Sequence, residues 1–402
     1  MCGIFGVIDS LGILQNDYIY KQFDKGKHRG PDYTQKLELG YGIKLGFHRL
    51  AINQQTIQPI IIDHIALVCN GTIYNYKELY KELNITPVTD STCEIIIHLY
   101  NLYGIDQTLQ ILDGEFSFIL YDMKILDNNS HKIYIARDPL GIKPLYILRF
   151  TSKMEYSFIC ASELKMLTEF YTFYDNYQKN GIGNDISNNN SINSNDKCEL
   201  SLIHFTPGTY SLFEKNYVIL SPWKETKRNI SYFNFFSSSY YLDKEWIIQG
   251  IQQHLYNAVK KRYINNKYPS ACLLSDELSN TLITSLICKI NQEQHINKDY
   301  IDPITTYSIG FANSYNLNYS RKVACLLNTI HYEIIITKDD IINAIPEVIK
   351  TVESFDINTV RQSITCYLLG KYINNHCDCD SKIIFIGKGS YQLCENNLNT
   401  NC

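Results

Sequence analysis

The apolar run Ile4-Phe5-Gly6-Val7-Ile8 begins almost at the start of the chain, directly behind Cys2 and Gly3. It reads as a strand, which commits the head of the chain to the interior of a sheet. An initiator methionine followed by a small residue is normally removed, and that would leave Cys2 as the N-terminus. A terminal cysteine offers a thiol nucleophile and, in the same residue, an α-amine titrating near pH ~8 that can take the thiol proton. Met-Cys-Gly by itself suits equally an ordinary buried cysteine at a strand start.

At 402 residues two domains are expected. In the first half, Cys2–Ile8, Ile60–Cys69, Glu115–Tyr121 and Ile133–Ala136 read as strands, and Tyr76–Glu82 and Cys93–Asn101 as amphipathic helices. An Asn/Ser/Gly/Asp tract over 175–199 cannot bury a core and predicts a disordered surface insertion. Strand character resumes over Leu200–Phe213. Near Leu242 the pattern changes to strand–helix repeats: helix Glu245–Tyr263, strand Ala271–Leu274, helix to Ile290, strand Thr305–Ile309, helix Tyr319–Leu327, strand Tyr332–Ile336, helices Asp340–Val352 and Val360–Ile373, and strand Lys382–Ile386. Such repeats call for a parallel sheet with helices on both faces.

No apolar run reaches the roughly 18–20 residues of a membrane span, and the start lacks a signal-peptide plan, so no membrane partner is expected. Thirteen cysteines, an odd number without framework spacing, predict reduced thiols in a cytoplasmic compartment. His376-Cys377-Asp378-Cys379-Asp380 reads as a polar loop rather than a metal cluster, and no metal-ligating set stands out. A net charge of −4 shows no nucleic-acid footprint.

Five motifs occur in order: His28-Arg29-Gly30-Pro31-Asp32, His48-Arg49-Leu50-Ala51-Ile52, Gln58-Pro59, Asn70-Gly71-Thr72-Ile73-Tyr74-Asn75 and Arg137-Asp138-Pro139-Leu140-Gly141-Ile142-Lys143-Pro144-Leu145-Tyr146. With Cys2, they make residues 2–215 resemble the glutamine amidotransferase type-2 domain shared by asparagine synthetase, glucosamine-phosphate synthase and the phosphoribosyl-pyrophosphate amidotransferase. Residues 243–402 resemble the ATP-dependent half of asparagine synthetase. The resemblance rests on Leu273-Leu274-Ser275, Thr306–Phe311, Tyr319–Ala324, His331-Tyr332-Glu333, Ala344–Ile349, Glu353–Asp356 and Arg361. The pairing points to the glutamine-hydrolysing asparagine synthetase family, with the β-lactam synthetases sharing the layout.

The resemblance implies an α/β chain of two domains. The first is an N-terminal-nucleophile αββα sandwich of antiparallel sheets, and the second a parallel-sheet, adenine-nucleotide alpha-hydrolase-like (PP-loop) domain. It implies glutamine, aspartate and ATP with Mg2+ as reactants, and a homodimer or association with a full-length synthetase subunit. Cys2 would be the nucleophile, with Asn70 and the Gly71 amide as oxyanion hole. Arg49, Leu50, Ala51, Ile52, Asn53, Asn70, Gly71, Thr72 and Thr92 would line the glutamine pocket, Arg49 gripping the carboxylate. Leu274, Ser275, Ile309, Ile386 and Gly387 would mark the ATP site.

The chain departs from the family at the charged positions. Thr72 and Thr92 stand where carboxylates hold the glutamine α-ammonium, and Asp90 lies close enough in sequence to substitute. The pyrophosphate loop, Ser-Gly-Gly-Leu-Asp-Ser in the family, reads Ser275-Asp276-Glu277-Leu278-Ser279-Asn280. The family's Ser-Gly-Glu-Gly-Ser-Asp-Glu reads Ile386-Gly387-Lys388-Gly389-Ser390-Tyr391-Gln392, and the chain stops soon after. A truncated, motif-degenerate member is the expectation, with a glutaminase-only remnant or a non-catalytic relative as alternatives.

Overall fold

The computed structural model describes residues 2–9, 12–52, 56–124, 130–151, 156–181, 199–216, 224–232, 243–264, 269–295, 302–376 and 383–387. Two compact units divide the chain, Met1–Ser237 and Ser238–Cys402.

The strands of the first unit are β1 (Gly3–Asp9), β2 (Tyr33–Glu38), β3 (Ile43–Arg49), β4 (Ile60–Ile62), β5 (Ile65–Ile73), β6 (Gly114–Asp122), β7 (Ser130–Arg137), β8 (Tyr146–Thr151), β9 (Tyr156–Ala161), β10 (Glu199–His204), β11 (Thr209–Asn216) and β12 (Lys224–Ser231). Its helices are α1 (Asn16–Asp24), α2 (Tyr76–Leu83), α3 (Ile95–Ile111) and α4 (Thr168–Gly181). The strands form two six-stranded antiparallel sheets, ordered β10-β8-β9-β1-β3-β2 and β12-β11-β7-β6-β5-β4.

Three apolar layers stack them. Ile4, Ile8, Leu45 and Phe47 of the first sheet meet Ala66, Val68, Ile119 and Ile135 of the second. On the outer face of the first sheet, Phe5 and Val7 pack with Ile19 and Phe23 of α1 and with Phe170 and Tyr174 beside them. On the outer face of the second, Leu67, Cys69 and Phe118 pack with Leu79, Ile96 and Leu109 of α2 and α3. Each fully buried aromatic or branched aliphatic side chain contributes about 1.5–3 kcal/mol. The result is the αββα sandwich, with β1 central and covered on both faces.

Several local expectations are corrected. The single strand over Ile60–Cys69 is a hairpin, β4 and β5, turned at Asp63, which adopts a left-handed φ of 52°. The helix over Cys93–Asn101 begins later and runs on to Ile111, kinking at Gly104 where φ is 73°. Residues 175–181 of the Asn/Ser tract are helical, because α4 is anchored by Phe170 and Tyr174 against Phe150. Residues 182–198 lie outside the described residues. β12 pairs with β11, so the first unit reaches past residue 215.

The second unit alternates α5 (Lys244–Ile264), β13 (Ser270–Leu273), α6 (Leu278–Gln294), β14 (Thr305–Gly310), α7 (Tyr315–Leu326), β15 (Ile330–Ile335), α8 (Lys338–Val352), α9 (Ile357–His376) and β16 (Ile383–Phe385). The sheet is parallel, in the order β15-β14-β13-β16. Cys272 packs with Val259 and Ile287 on one side of it, and Leu273 with Tyr307 and Leu369 on the other. Among the described residues no helix is long and apolar enough to cross a membrane.

Candidate active site

Gly3 of β1 lies opposite His48 of β3, which carries Cys2 to the point where β3 ends. The Leu50 amide donates to Cys2 Sγ at 3.4 Å, and the thiol lies 3.8 Å from the Leu50 carbonyl oxygen. Arg29 Nε donates to the Cys2 carbonyl at 3.0 Å. Main-chain contacts thus hold the half-buried thiol in place. Burial raises its pKa, while the Leu50 hydrogen bond and the Lys143 charge pull it back.

Asn70 comes from the second sheet. Ala66 and Val68 of β5 face the layer between the sheets, where Cys2 also packs. Strand alternation puts Asn70 and Thr72 on that same face. Asn70 is 2% exposed, and among the described residues its Nδ2 has no hydrogen-bond partner. A buried polar group left in this state costs about 1–3 kcal/mol. Across the ladder from it, Ser117 Oγ is also buried and has no partner among the described residues.

Gly71 follows from a close approach of strands. A Cβ there would meet the Glu115 carbonyl oxygen at 2.5 Å and the Phe116 Cα at 2.8 Å. The Cys69 amide donates outward to Gln58 Oε1 at 2.6 Å, and the Ile73 amide to Thr92 Oγ1 at 3.2 Å. By the same alternation the Gly71 amide points to that edge of the sheet. Cys2, Asn70 and Gly71 are therefore brought to one end of the sandwich.

The remaining pocket residues differ in what they do. Arg49 ends β3 with its guanidinium carbon 5.9 Å from the Tyr33 ring centroid. Leu50 clasps Cys2. The Ala51 amide donates to Asp32 Oδ2 at 2.6 Å, and the Ile52 amide to the Leu50 carbonyl at 3.0 Å. Asn53 lies outside the described residues. Thr92 is buried and takes the Ile73 amide, a structural duty. Asp90 is exposed and accepts from both the amide (2.8 Å) and the hydroxyl of Thr56.

Two charged residues here escaped the sequence reading. Glu115 is the cross-strand partner of Thr72. Its Oε1 accepts from Tyr74 Oη at 2.9 Å and lies 3.4 Å from Lys143 Nζ. Lys143 belongs to a recognised motif, but only the folded chain brings its charge within reach of Cys2. Strand register was the missing signal.

In the second unit the ATP candidates occupy the end of the parallel sheet. Leu274 is fully buried, and its amide donates to the Tyr307 carbonyl at 2.7 Å. Ile309 is a core residue of β14, and Ile386 packs on the same cluster. A phosphate cradle needs main-chain amides left unspent for the ligand. Here the Asp276 amide donates to Asn316 Oδ1 at 2.9 Å and the Glu277 amide to Ser275 Oγ at 3.2 Å. The Gly387 amide donates to Asn280 Oδ1 at 2.6 Å. Asn280 Nδ2 donates in turn to Ser275 Oγ at 2.6 Å. Asp276 and Glu277 add two carboxylates to this loop, and like charge repels phosphate. Among the described residues no group of His, Cys, Asp and Glu is arranged to hold a metal ion. The loop does not fit a magnesium–triphosphate group.

Residues 1–224 match the family model of the glutamine amidotransferase domain, and residues 250–393 that of asparagine synthase. Over 410 residues the chain is 31% identical to "Asparagine synthetase [glutamine-hydrolyzing]" of Gallus gallus and 30% identical to that of Homo sapiens, and over 415 residues 30% identical to that of Mus musculus. Each match covers 98% of this chain but 66% of the relative, so the chain spans just under two thirds of their length.

Proposed function

This chain belongs to the asparagine synthetase family that carries a glutamine amidotransferase domain, and on that basis we propose that its first unit hydrolyses the side-chain amide of glutamine. The observation that carries the reading is the buried Nδ2 of Asn70, unpartnered among the described residues, in the same inter-sheet layer as Cys2. Such a donor is already oriented for negative charge that appears only during reaction.

In this reading Met1 is removed and the Cys2 α-amine takes the thiol proton. The thiolate attacks the amide carbon, and the oxyanion is held by Asn70 Nδ2 and the Gly71 amide. The carbon–nitrogen bond breaks, the nitrogen takes the proton held by the α-ammonium and leaves as ammonia, and water then hydrolyses the thioester to glutamate, freeing the Cys2 thiol. Arg49 takes the substrate carboxylate. Glutamate release from the full chain, lost on Cys2→Ala, tests this directly. Glutamate release that persists in Cys2→Ala refutes it.

The family's whole reaction is the second reading, favoured by the match over residues 250–393 and the parallel sheet. In it, ammonia amidates aspartate at the expense of ATP. The self-bonded Ser275–Asn280 loop weighs against it. Aspartate-dependent formation of AMP and pyrophosphate with ammonium supplied directly would establish it, and no turnover would leave glutamine hydrolysis as the chain's chemistry.

A further inference from the structure

Resting on the glutaminase reading, we propose that Glu115 binds the α-ammonium of the amino-acid substrate and sets the pocket's preference for an α-amino acid over its des-amino analogue. An amino-acid zwitterion beside Cys2 needs an anion for its ammonium, and the carboxylates around the site can be surveyed one by one. Asp32 accepts the Ala51 amide, and Asp90 is occupied by Thr56. Glu94 is fully buried and accepts from the Val88 and Thr89 amides and pairs with His98. Glu115 differs on three counts.

First, it lies directly opposite Thr72 in the β5–β6 ladder, and opposed residues of an antiparallel pair project from the same face. That face is the inter-sheet layer shared with Asn70 and Cys2. Second, its side chain keeps 21% of its surface exposed, so solvent and solute reach it. Third, the Tyr74 hydroxyl and the Lys143 ammonium both engage Oε1, and Oε2 accepts no hydrogen bond among the described residues, which leaves it as an oriented acceptor. Tyr74 and Lys143 act as positioning residues that fix the carboxylate plane. Position 72 carries only a hydroxyl, and the missing charge is supplied from across the ladder.

The test compares glutamine with 4-carbamoylbutanoate, which is glutamine without the α-ammonium, on the full chain and on Glu115→Gln. The variant is isosteric and removes only the charge. A hydrogen bond to a charged group sets the expected loss, a rise in KM for glutamine of roughly 10- to 100-fold. kcat should hold within about 3-fold, and the constants for 4-carbamoylbutanoate should not move. Equal losses on both substrates, or an unchanged KM for glutamine, would overturn the assignment while leaving glutamine hydrolysis intact. Absence of turnover in the unmodified chain overturns the glutaminase reading and this assignment with it. Should Glu115→Gln fail to fold, Tyr74→Phe loosens the same carboxylate. It should raise KM for glutamine several-fold and leave the analogue untouched; no selective change would count against the proposal.

Discussion

Replacing Asn70 by alanine should separate catalysis from stability. In the resting protein Nδ2 makes no hydrogen bond among the described residues, so its removal breaks none. Deleting a buried, unsatisfied polar group relieves about 1–3 kcal/mol, while the lost packing of a few atoms costs a similar amount. The two nearly cancel, and global stability should stay within about 1 kcal/mol of the parent. The transition state fares differently. An oxyanion-hole donor contributes about 2.7–4 kcal/mol, so kcat for glutamine hydrolysis should fall about 10²- to 10³-fold. Glutamate release under saturating glutamine measures the first quantity and urea unfolding the second. A variant that keeps kcat within about 3-fold would refute the oxyanion role. A variant that loses several kcal/mol of stability would show that Asn70 serves the fold.

Cys2 should react with iodoacetamide faster as pH rises toward its burial-raised pKa, because the thiolate is the nucleophile; Lys143→Met should move that rise to still higher pH, and an unshifted labelling profile would exclude any electrostatic reach from Lys143. Burial pushes Glu94 up, but hydrogen bonds from Thr89, Val88 and His98 prevail and hold it below the ordinary carboxylate value of 4.5. Its stabilisation is therefore complete above the unfolded pKa and lost as pH falls through the folded one. Glu94→Gln should cost about 1–3 kcal/mol near neutrality and progressively less below about pH 4, which denaturant melts across pH would check. Asn280 is 2% exposed and bonds Ser275, Glu277 and Gly387, so Asn280→Ala should destabilise the second unit by about 1–3 kcal/mol, read as early loss of its hydrogen-exchange protection.

The chain's own letters were enough for the family and for the two-domain plan, and they nominated Cys2, Asn70 and Gly71, because all of these depend on residue type at fixed spacing. Strand–helix alternation after Leu242 likewise dictated a parallel sheet, since short crossovers leave few other solutions. What sequence could not supply was whatever depends on pairing between distant strands. Glu115 comes 43 positions after Thr72 and becomes its neighbour only through the register of β5 and β6. Asp90 looked near enough to replace a missing carboxylate, but it is spent on Thr56, a contact made by the turn of the chain rather than by spacing. The loop after β13 announced its altered charges in sequence. That its Asp276 and Glu277 amides are bonded to Asn316 and Ser275, and that its Asn280 takes the Gly387 amide, was decided by packing alone. Local patterns select which elements form, because helix and strand periods are set residue by residue. Which side chains share a site is settled in three dimensions, where hydrogen-bonding groups must be satisfied by whatever the fold brings beside them.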